Sequence, residues 1–325
     1  MEYVKLGNTG LEVSKICLGC MSFGDPEKWI HSWVLNEKDS RKIIKKSLDL
    51  GINFFDTANV YGLGASEEIL GRALKDYANR EEIVIATKVS GSMGKGPNKS
   101  GLSRKAIMNE VEASLKRLGV EYIDILYIHR WDYETPIEET MYALNDLVRS
   151  GKVLYLGASS MYAWQFAKAQ YIAEKNGWVK FSVMQGHYNL LYREEEREMN
   201  ALCKDMGVAL VPYSPLAAGR LTRNWESDSK RFKEDKVAQM KYDITEESDK
   251  IIVERVAEIA NKYNVTKSQV AVAWLWEKGI TSPIVGITKE KYLDDFIGAL
   301  DIKLSNEDME YLEEKYVPHN IVGHN

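Results

Sequence analysis

The sequence predicts one (β/α)8 barrel, of α/β class, and three observations carry that expectation. Eight short apolar runs alternate with segments of helical periodicity along the 325 residues. The runs are continuously apolar, as strands of a parallel sheet covered on both faces are. No low-complexity linker or compositional break divides the chain. Eight such units within about 300 residues fit a closed barrel better than an open sheet. One domain over residues 1–325 is the expectation, with right-handed crossovers.

In chain order, Val4–Leu6 and Glu12–Ser14 flank Gly7-Asn8-Thr9-Gly10 and read as an N-terminal β-hairpin. Ile16–Leu18 is the first barrel strand. A loop rich in large side chains follows, and then a helix opened by Asp39 that runs to about Asp49. The beat then repeats: strand Ile52–Phe55 and helix Ser66–Tyr77, strand Ile83–Thr87 and helix Ser103–Arg117, strand Tyr122–Ile128 and helix Pro136–Val148. In the last of these helices Thr135 is the expected cap, with Pro136 at the first helical position. Strand Val153–Leu156 leads to helix Tyr162–Lys175, and Phe181–Met184 to helix Glu194–Met206. The seventh strand, Val208–Val211, leads through a long loop to helix Ser248–Lys262. Helix Lys267–Glu277 precedes the eighth strand, Pro283–Val285, and helix Lys289–Ala299 follows it.

Bulk properties narrow the function. A net charge of −5 leaves no basic excess to neutralise a nucleic-acid backbone. The N-terminus enters structured sequence without a signal or transit pattern, and no apolar run approaches the ~18 residues of a membrane span. A cytoplasmic protein with no membrane partner is expected. Cys17 and Cys20 have the spacing of half a metal knuckle, yet no second pair or His-x-x-His completes one, so core thiols and no metal are expected.

Chemistry on a barrel gathers where strands end. Those positions hold Asp56, Lys88, His129, Ser159 and Ser160, Gln185, Tyr213 and Ser214, and Gly286. Taken singly, each is an ordinary strand-end polar residue or a buried aromatic. An acid, a lysine and a histidine at consecutive strand ends, with Tyr61 on the loop after the first of them, form a set suited to proton transfer to a carbonyl oxygen. A phenol near pKa ~10 is a weak acid, and a neighbouring ammonium stabilises its phenolate and lowers that value. A carboxylate keeps the ammonium charged and oriented, and a histidine donates to the substrate oxygen.

These four residues, in "INFFDTANVYG", "ATK" and "DILYIHR", resemble the catalytic tetrad of the aldo-keto reductases. The likeness extends from "LGNTGLEVSKICLG" through "SLKRLGVEYIDILYIH" and "GKVLYLGASS" to "PYSPLAAGRLT". The resemblance implies metal-free reduction of an aldehyde or ketone by NADP(H). Tyr61 would be the general acid, Asp56 and Lys88 its tuners, and His129 the substrate-orienting donor. It also implies a cofactor site. Ser159, Ser160 and Gln185 would grip the carboxamide, with Gly19, Met21 and Asp56 beside them, and Tyr213 would stack on the nicotinamide. Ser214, Pro215, Leu216, Ala217, Gly219 and Leu221 would fold over the pyrophosphate. Gly286, Thr288 and Lys289 would hold the 2′-phosphate at a helix N-terminus. Tyr292 and Phe296 replace the polar residues that often meet adenine, so adenine is expected either to stack on an aromatic or to bind more loosely.

Pocket walls are expected from Trp29, His31, Trp33, Arg130, Trp131 and Trp225. The stretches "MSFG", "IHRWDYETPIEET" and "YNLLYREEERE" look most like a bacterial branch of the family. One member of that branch forms 1-deoxyxylulose 5-phosphate, so sugar-phosphate conversion is an alternative. A slow cofactor-binding regulatory subunit is another, although no partner-binding tail is evident. Neither Gly62–Glu67 nor Gly91–Lys95 completes a dinucleotide or P-loop motif. A metal hydrolase would need His-x-His where Gly19-Cys20-Met21 stands.

Overall fold

The computed structural model describes residues 1–25, 27, 31, 33–223, 225, 235–242 and 245–324. A hairpin of β1 (Tyr3–Lys5) and β2 (Glu12–Ser14) opens the chain. Eight parallel strands follow: β3 (Cys17–Gly19), β4 (Phe54–Asp56), β5 (Val84–Val89), β6 (Ile123–Ile128), β7 (Val153–Ser159), β8 (Phe181–Gln185), β9 (Ala209–Leu210) and β10 (Ile284–Gly286). They lie in chain order, and β10 returns to pair with β3. Backbone bonds bridge the remaining gap: Thr281 N–H donates to Leu210 C=O and Ile284 N–H to Pro212 C=O, both at 2.9 Å. The strands thus form a closed (β/α)8 barrel.

Successive strand residues face opposite sides, and both sides here are apolar. Phe54, Val84, Ala86, Ile125, Tyr127 and Val183 fill the barrel together with Leu6 and Val13 of the hairpin. Leu18, Phe55, Ile85, Leu126, Ile128 and Met184 meet the surrounding helices. Fully burying a side chain of this kind contributes roughly 2 kcal/mol, which is why the strands read as unbroken apolar runs. The hairpin closes the end where the strands begin, with Asn8 N–H donating to Gly207 C=O at 2.8 Å. Following the inward parity of each strand to its other end gives Gly19, Asp56, Lys88, Ser159, Gln185 and Gly286. At that end the interior turns from apolar to polar.

Six helices separate the strands up to β9: α1 (Glu37–Asp49), α2 (Ala65–Tyr77), α3 (Arg104–Leu118), α4 (Ile137–Arg149), α5 (Ala163–Lys175) and α6 (Met199–Asp205). Helices at Lys236–Tyr242, Glu246–Tyr263 and Lys267–Glu277 follow β9, and those at Lys291–Gly298 and Asn306–Glu313 follow β10. Among the described residues no helix is long and apolar enough to cross a membrane.

Several boundaries differ from the expectation. Asn36 caps α1, its Oδ1 accepting Asp39 N–H at 3.0 Å, so Asp39 lies within the first turn. Pro136 itself takes the cap position of α4, because Thr135 donates its hydroxyl to Asp132 instead. The expected helix Glu194–Met206 is broken into a 3-10 turn at Glu194–Glu196 and α6. There Glu194 is drawn to the Tyr316 hydroxyl and His319 N–H at the far end of the chain. The long loop after the seventh barrel strand carries the unanticipated helix Lys236–Tyr242, and Asn306–Glu313 was not foreseen either.

Candidate active site

The carboxylate of Asp56 and the ammonium of Lys88 meet in the polar layer at the top of the barrel. Lys88 Nζ donates to Asp56 Oδ1 at 2.5 Å, to Thr57 C=O at 2.7 Å and to the Tyr61 oxygen at 3.3 Å. Asp56 receives Gln185 Nε2 on its second oxygen at 2.8 Å. Lys88 is wholly buried and Asp56 is 3% exposed. Such a pair persists only when the charges are matched and hydrogen-bonded. Beneath it the Tyr127 ring lies across Gly157, where a Cβ would come within 2.4 Å of Tyr127 Cδ1.

The loop that presents Tyr61 is held from behind. Gly62, Leu63 and Gly64 are all at positive φ and turn the chain into α2. Ser66 donates to Cys20 C=O at 2.7 Å and lies 2.8 Å from the Thr57 hydroxyl. Glu67, fully buried, accepts from Thr87 at 2.6 Å and from Arg117 Nε at 2.5 Å. The tyrosine loop is thereby tied to the strand that carries Lys88. Glu67→Gln is expected to lower unfolding stability by roughly 3 kcal/mol, the low end for breaking a buried pair, since Arg117 retains Glu110 at 3.8 Å. Equilibrium urea unfolding measures this, and an unchanged midpoint would refute the role.

His129 continues the ladder by donating N–H to Val89 C=O at 2.9 Å. Its ring stands edge-on to Tyr61, with centroids 5.8 Å apart and planes at 80°. Burial, with the nearby Lys88 and Arg130 charges, holds the imidazole well below its ordinary pKa, so it is neutral. Burial works against the Lys88 ammonium, but Asp56 and Tyr61 overcome it and keep Lys88 charged. Burial also raises the Asp56 carboxyl, opposed by Lys88 and Gln185. The Tyr61 result corrects an expectation: burial raises the phenol above its ordinary value, outweighing the lowering by Lys88. The group is therefore a fully protonated donor.

The remaining strand ends form one rim. Ser159 donates to Gln185 C=O at 2.9 Å, and Ser160, at φ 46°, donates to the Tyr213 oxygen at 3.3 Å. Gly286, Gly19 and Asp56 are aligned in register across three strands. Met21 is half-buried just beyond, and Ser22 ties this loop to Ile287 C=O at 3.1 Å. Ser214, Ala217, Ala218 and Gly219 all have positive φ. Pro215, Ala217 and Leu221 are buried and Leu216 half-buried, so this segment offers a ligand mainly its backbone. Thr288 is half-buried and Lys289 exposed ahead of helix Lys291–Gly298. Tyr292 is half-buried, whereas Phe296 is 3% exposed and belongs to the core, which removes it as a stacking surface.

Among the described residues eight non-glycine residues have positive φ, and seven of them (Leu63, Ser90, Asn98, Ser160, Ser214, Ala217 and Ala218) lie on loops at this end. Strain of roughly 1–3 kcal/mol each, gathered at one end of a barrel, marks a functional face.

The proposed wall residues are scattered. His31 and Trp33 pair at 4.9 Å, and Trp131 packs beside Trp164 at 6.1 Å. Arg130 donates to His129 C=O at 2.6 Å. Trp225 is buried in a second apolar cluster with the Arg220 guanidinium 5.5 Å from its ring. Trp29 lies outside the described residues. The sequence reading missed the C-terminal tail. Tyr133 donates its hydroxyl to His324 C=O at 2.9 Å, the His324 ring meets Tyr162 at 4.8 Å, and a Cβ on Gly323 would lie 3.5 Å from the Tyr213 oxygen. Two of the chain's five histidines in "VPHNIVGHN" were the available signal. Cys17 and Cys20 are buried free thiols that burial holds protonated.

Known proteins resemble the chain over nearly its whole length. The model of the Aldo/keto reductase family matches residues 15–317. Versiconal hemiacetal acetate reductase of Aspergillus parasiticus is 46% identical, with 98% of each chain covered. A Schizosaccharomyces pombe protein named provisionally as an aryl-alcohol dehydrogenase is 46% identical over 99% of this chain and 97% of its own. An aldo-keto reductase of Alternaria alternata is 45% identical over 99% of this chain and 93% of its own. These relatives are fungal and none is named for a sugar phosphate. They lend no support to the expected likeness to the bacterial 1-deoxyxylulose-5-phosphate branch.

Proposed function

Because this chain belongs to the aldo/keto reductase family and is an oxidoreductase of that type, we propose that it reduces an aldehyde or ketone with NADPH, using Tyr61 as the general acid. The observation that carries this reading is the wholly buried Lys88 ammonium, which bridges Asp56 and the Tyr61 hydroxyl. The donors at the rim fit a nicotinamide nucleotide. They comprise two serines, Gln185, an aromatic ring backed on one face, and a strained loop that offers backbone. When bound, the nicotinamide supplies a hydride to the carbonyl carbon.

The chain's own residues handle the oxygen. Neutral His129 donates to it, which orients the carbonyl and stabilises charge as it builds. Tyr61 gives up its proton to the oxygen, and the O–H bond broken on the phenol is replaced by the O–H bond of the alcohol. Lys88 steadies the phenolate left behind, and Asp56 keeps Lys88 charged and in place. The name of the S. pombe relative, provisionally an aryl-alcohol dehydrogenase, favours aryl aldehydes. The test is loss of nicotinamide absorbance with a panel of aromatic and aliphatic aldehydes. Absence of turnover on every one would overturn the reading.

The NADP preference has its own test. Lys289 places an exposed cation beside the start of helix Lys291–Gly298, where a 2′-phosphate would be met. Lys289→Ala is expected to raise the NADPH Kd roughly tenfold, the equivalent of one charge-assisted contact, and to leave NADH nearly unchanged. Equal weakening of both would remove the assigned role.

A further inference from the structure

Behind Tyr213 stands a histidine that the proton-transfer chemistry does not use. His187 is 1% exposed and lies parallel to Tyr213, with ring centroids 5.1 Å apart and planes at 7°. Its other face is stacked on Tyr192 at 4.2 Å and 18°. In the ring plane, His187 Nε2 lies 2.7 Å from the Tyr242 oxygen. Asn189 fixes the direction of that bond. Its Oδ1 accepts from Leu191 N–H and Tyr192 N–H, so the amide nitrogen is the end that donates to the Tyr242 oxygen at 3.0 Å and to Ser214 C=O at 2.9 Å. The Tyr242 proton is thereby directed at His187 Nε2, and a neutral His187 carries its own proton on Nδ1. That nitrogen is buried with no hydrogen-bond partner among the described residues. Burial, aided by Lys241, keeps the ring neutral. A phenylalanine would stack equally well without an orphaned nitrogen, so the bond at Nε2 explains the choice of residue.

We propose that His187 is a positioning residue: the Tyr242 hydroxyl locks its plane, and His187 in turn sets the plane of Tyr213 at the cofactor face. The inference rests on the reading of Tyr213 as the nicotinamide's stacking partner. It links the helix Lys236–Tyr242, beyond the loop after β9, to the angle at which the nicotinamide lies.

The test uses two ligands, NADPH and 2′,5′-ADP, which shares the adenosine with its 2′-phosphate and the adjoining 5′-phosphate but lacks a nicotinamide. His187→Phe removes the hydrogen bond at one end, and Tyr242→Phe removes it at the other together with the bond from Asn189. Each is expected to raise the Kd of NADPH and of NADH by the same factor, roughly tenfold, while 2′,5′-ADP changes less than about twofold. The double variant should be no worse than Tyr242→Phe alone, because both act on Tyr213 through one bond. Parallel weakening of 2′,5′-ADP would mean that the residues are merely structural, and additive effects would mean they act separately. Either result overturns the proposal, as does unaltered NADPH affinity. Should His187→Phe fail to fold, Tyr242→Phe with the two ligands decides alone. Wild-type protein that binds no NADPH would overturn the functional reading, and this inference with it, whereas unaltered variants of a binding wild type overturn the inference only.

Discussion

Tyr61→Phe is expected to lower the rate of carbonyl reduction by roughly 100- to 10,000-fold, the range for losing a positioned general acid, while NADPH affinity stays within a few fold. The phenyl ring preserves the edge-on packing against His129, so the change isolates one proton. Its removal leaves Lys88 with Asp56 and the Thr57 carbonyl, and the buried charge keeps its partners. The wild-type pH profile should bear the mark of the same group. Burial raises the Tyr61 phenol above its ordinary value, and His129 is neutral well below its own. Reduction should therefore run flat across roughly pH 6 to 8, where an unperturbed imidazole would titrate. Alcohol oxidation needs the phenolate and should rise with pH into the alkaline range. Steady-state kinetics in both directions measure this, and a break near pH 6.5 in the reductive profile would assign the proton to His129 instead. If cofactor binding collapses along with turnover in the variant, Tyr61 is a structural residue.

The parts of this site legible in the sequence are those fixed by strand parity. Once Phe54 is inward, Asp56 is inward, and once Val84 is inward, so is Lys88. A residue's place after an apolar run thus specified both its height and its direction. Phe296 was misjudged because adenine contact was inferred from position in the chain, while burial on a short amphipathic helix is decided by which face meets the core. The sign of the Tyr61 shift escaped for a related reason. The sequence names the ammonium that lowers the pKa, but the desolvation that raises it belongs to the assembled site. The bond that locks the His187 stack and the tie of the C-terminal tail were invisible because they join residues 55 and 191 positions apart, His187 with Tyr242 and Tyr133 with His324. No local periodicity encodes such pairs.

Lys88→Met should separate what the buried pair does for catalysis from what it does for the fold. Loss of the ammonium removes the charge that stabilises the phenolate, and activity is expected to fall by roughly 100- to 1,000-fold, as when one preorganised donor is deleted. It also strands Asp56 in the barrel with Gln185 as its remaining side-chain partner. Removing one partner of a buried pair costs about 3–5 kcal/mol when the other stays charged. Asp56 can avoid that by holding a proton. Its carboxyl is already raised by burial in the wild type, against two opposing contributions from Lys88, and the variant abolishes both of these. A folded-state pKa above the unfolded one means that the folded form binds the extra proton. The variant should thus be most stable at pH values below the unfolded carboxylate's, and lose stability as pH rises from there through the raised folded value. Adding Asp56→Asn removes both charges, so Lys88→Met/Asp56→Asn should regain stability at neutral pH and flatten the pH dependence while remaining inactive. Urea midpoints across pH 4 to 8 for the two variants decide it. A single variant as stable at neutral as at acidic pH would mean that water reaches Asp56, and the buried pair would then no longer account for the protonation state of Tyr61.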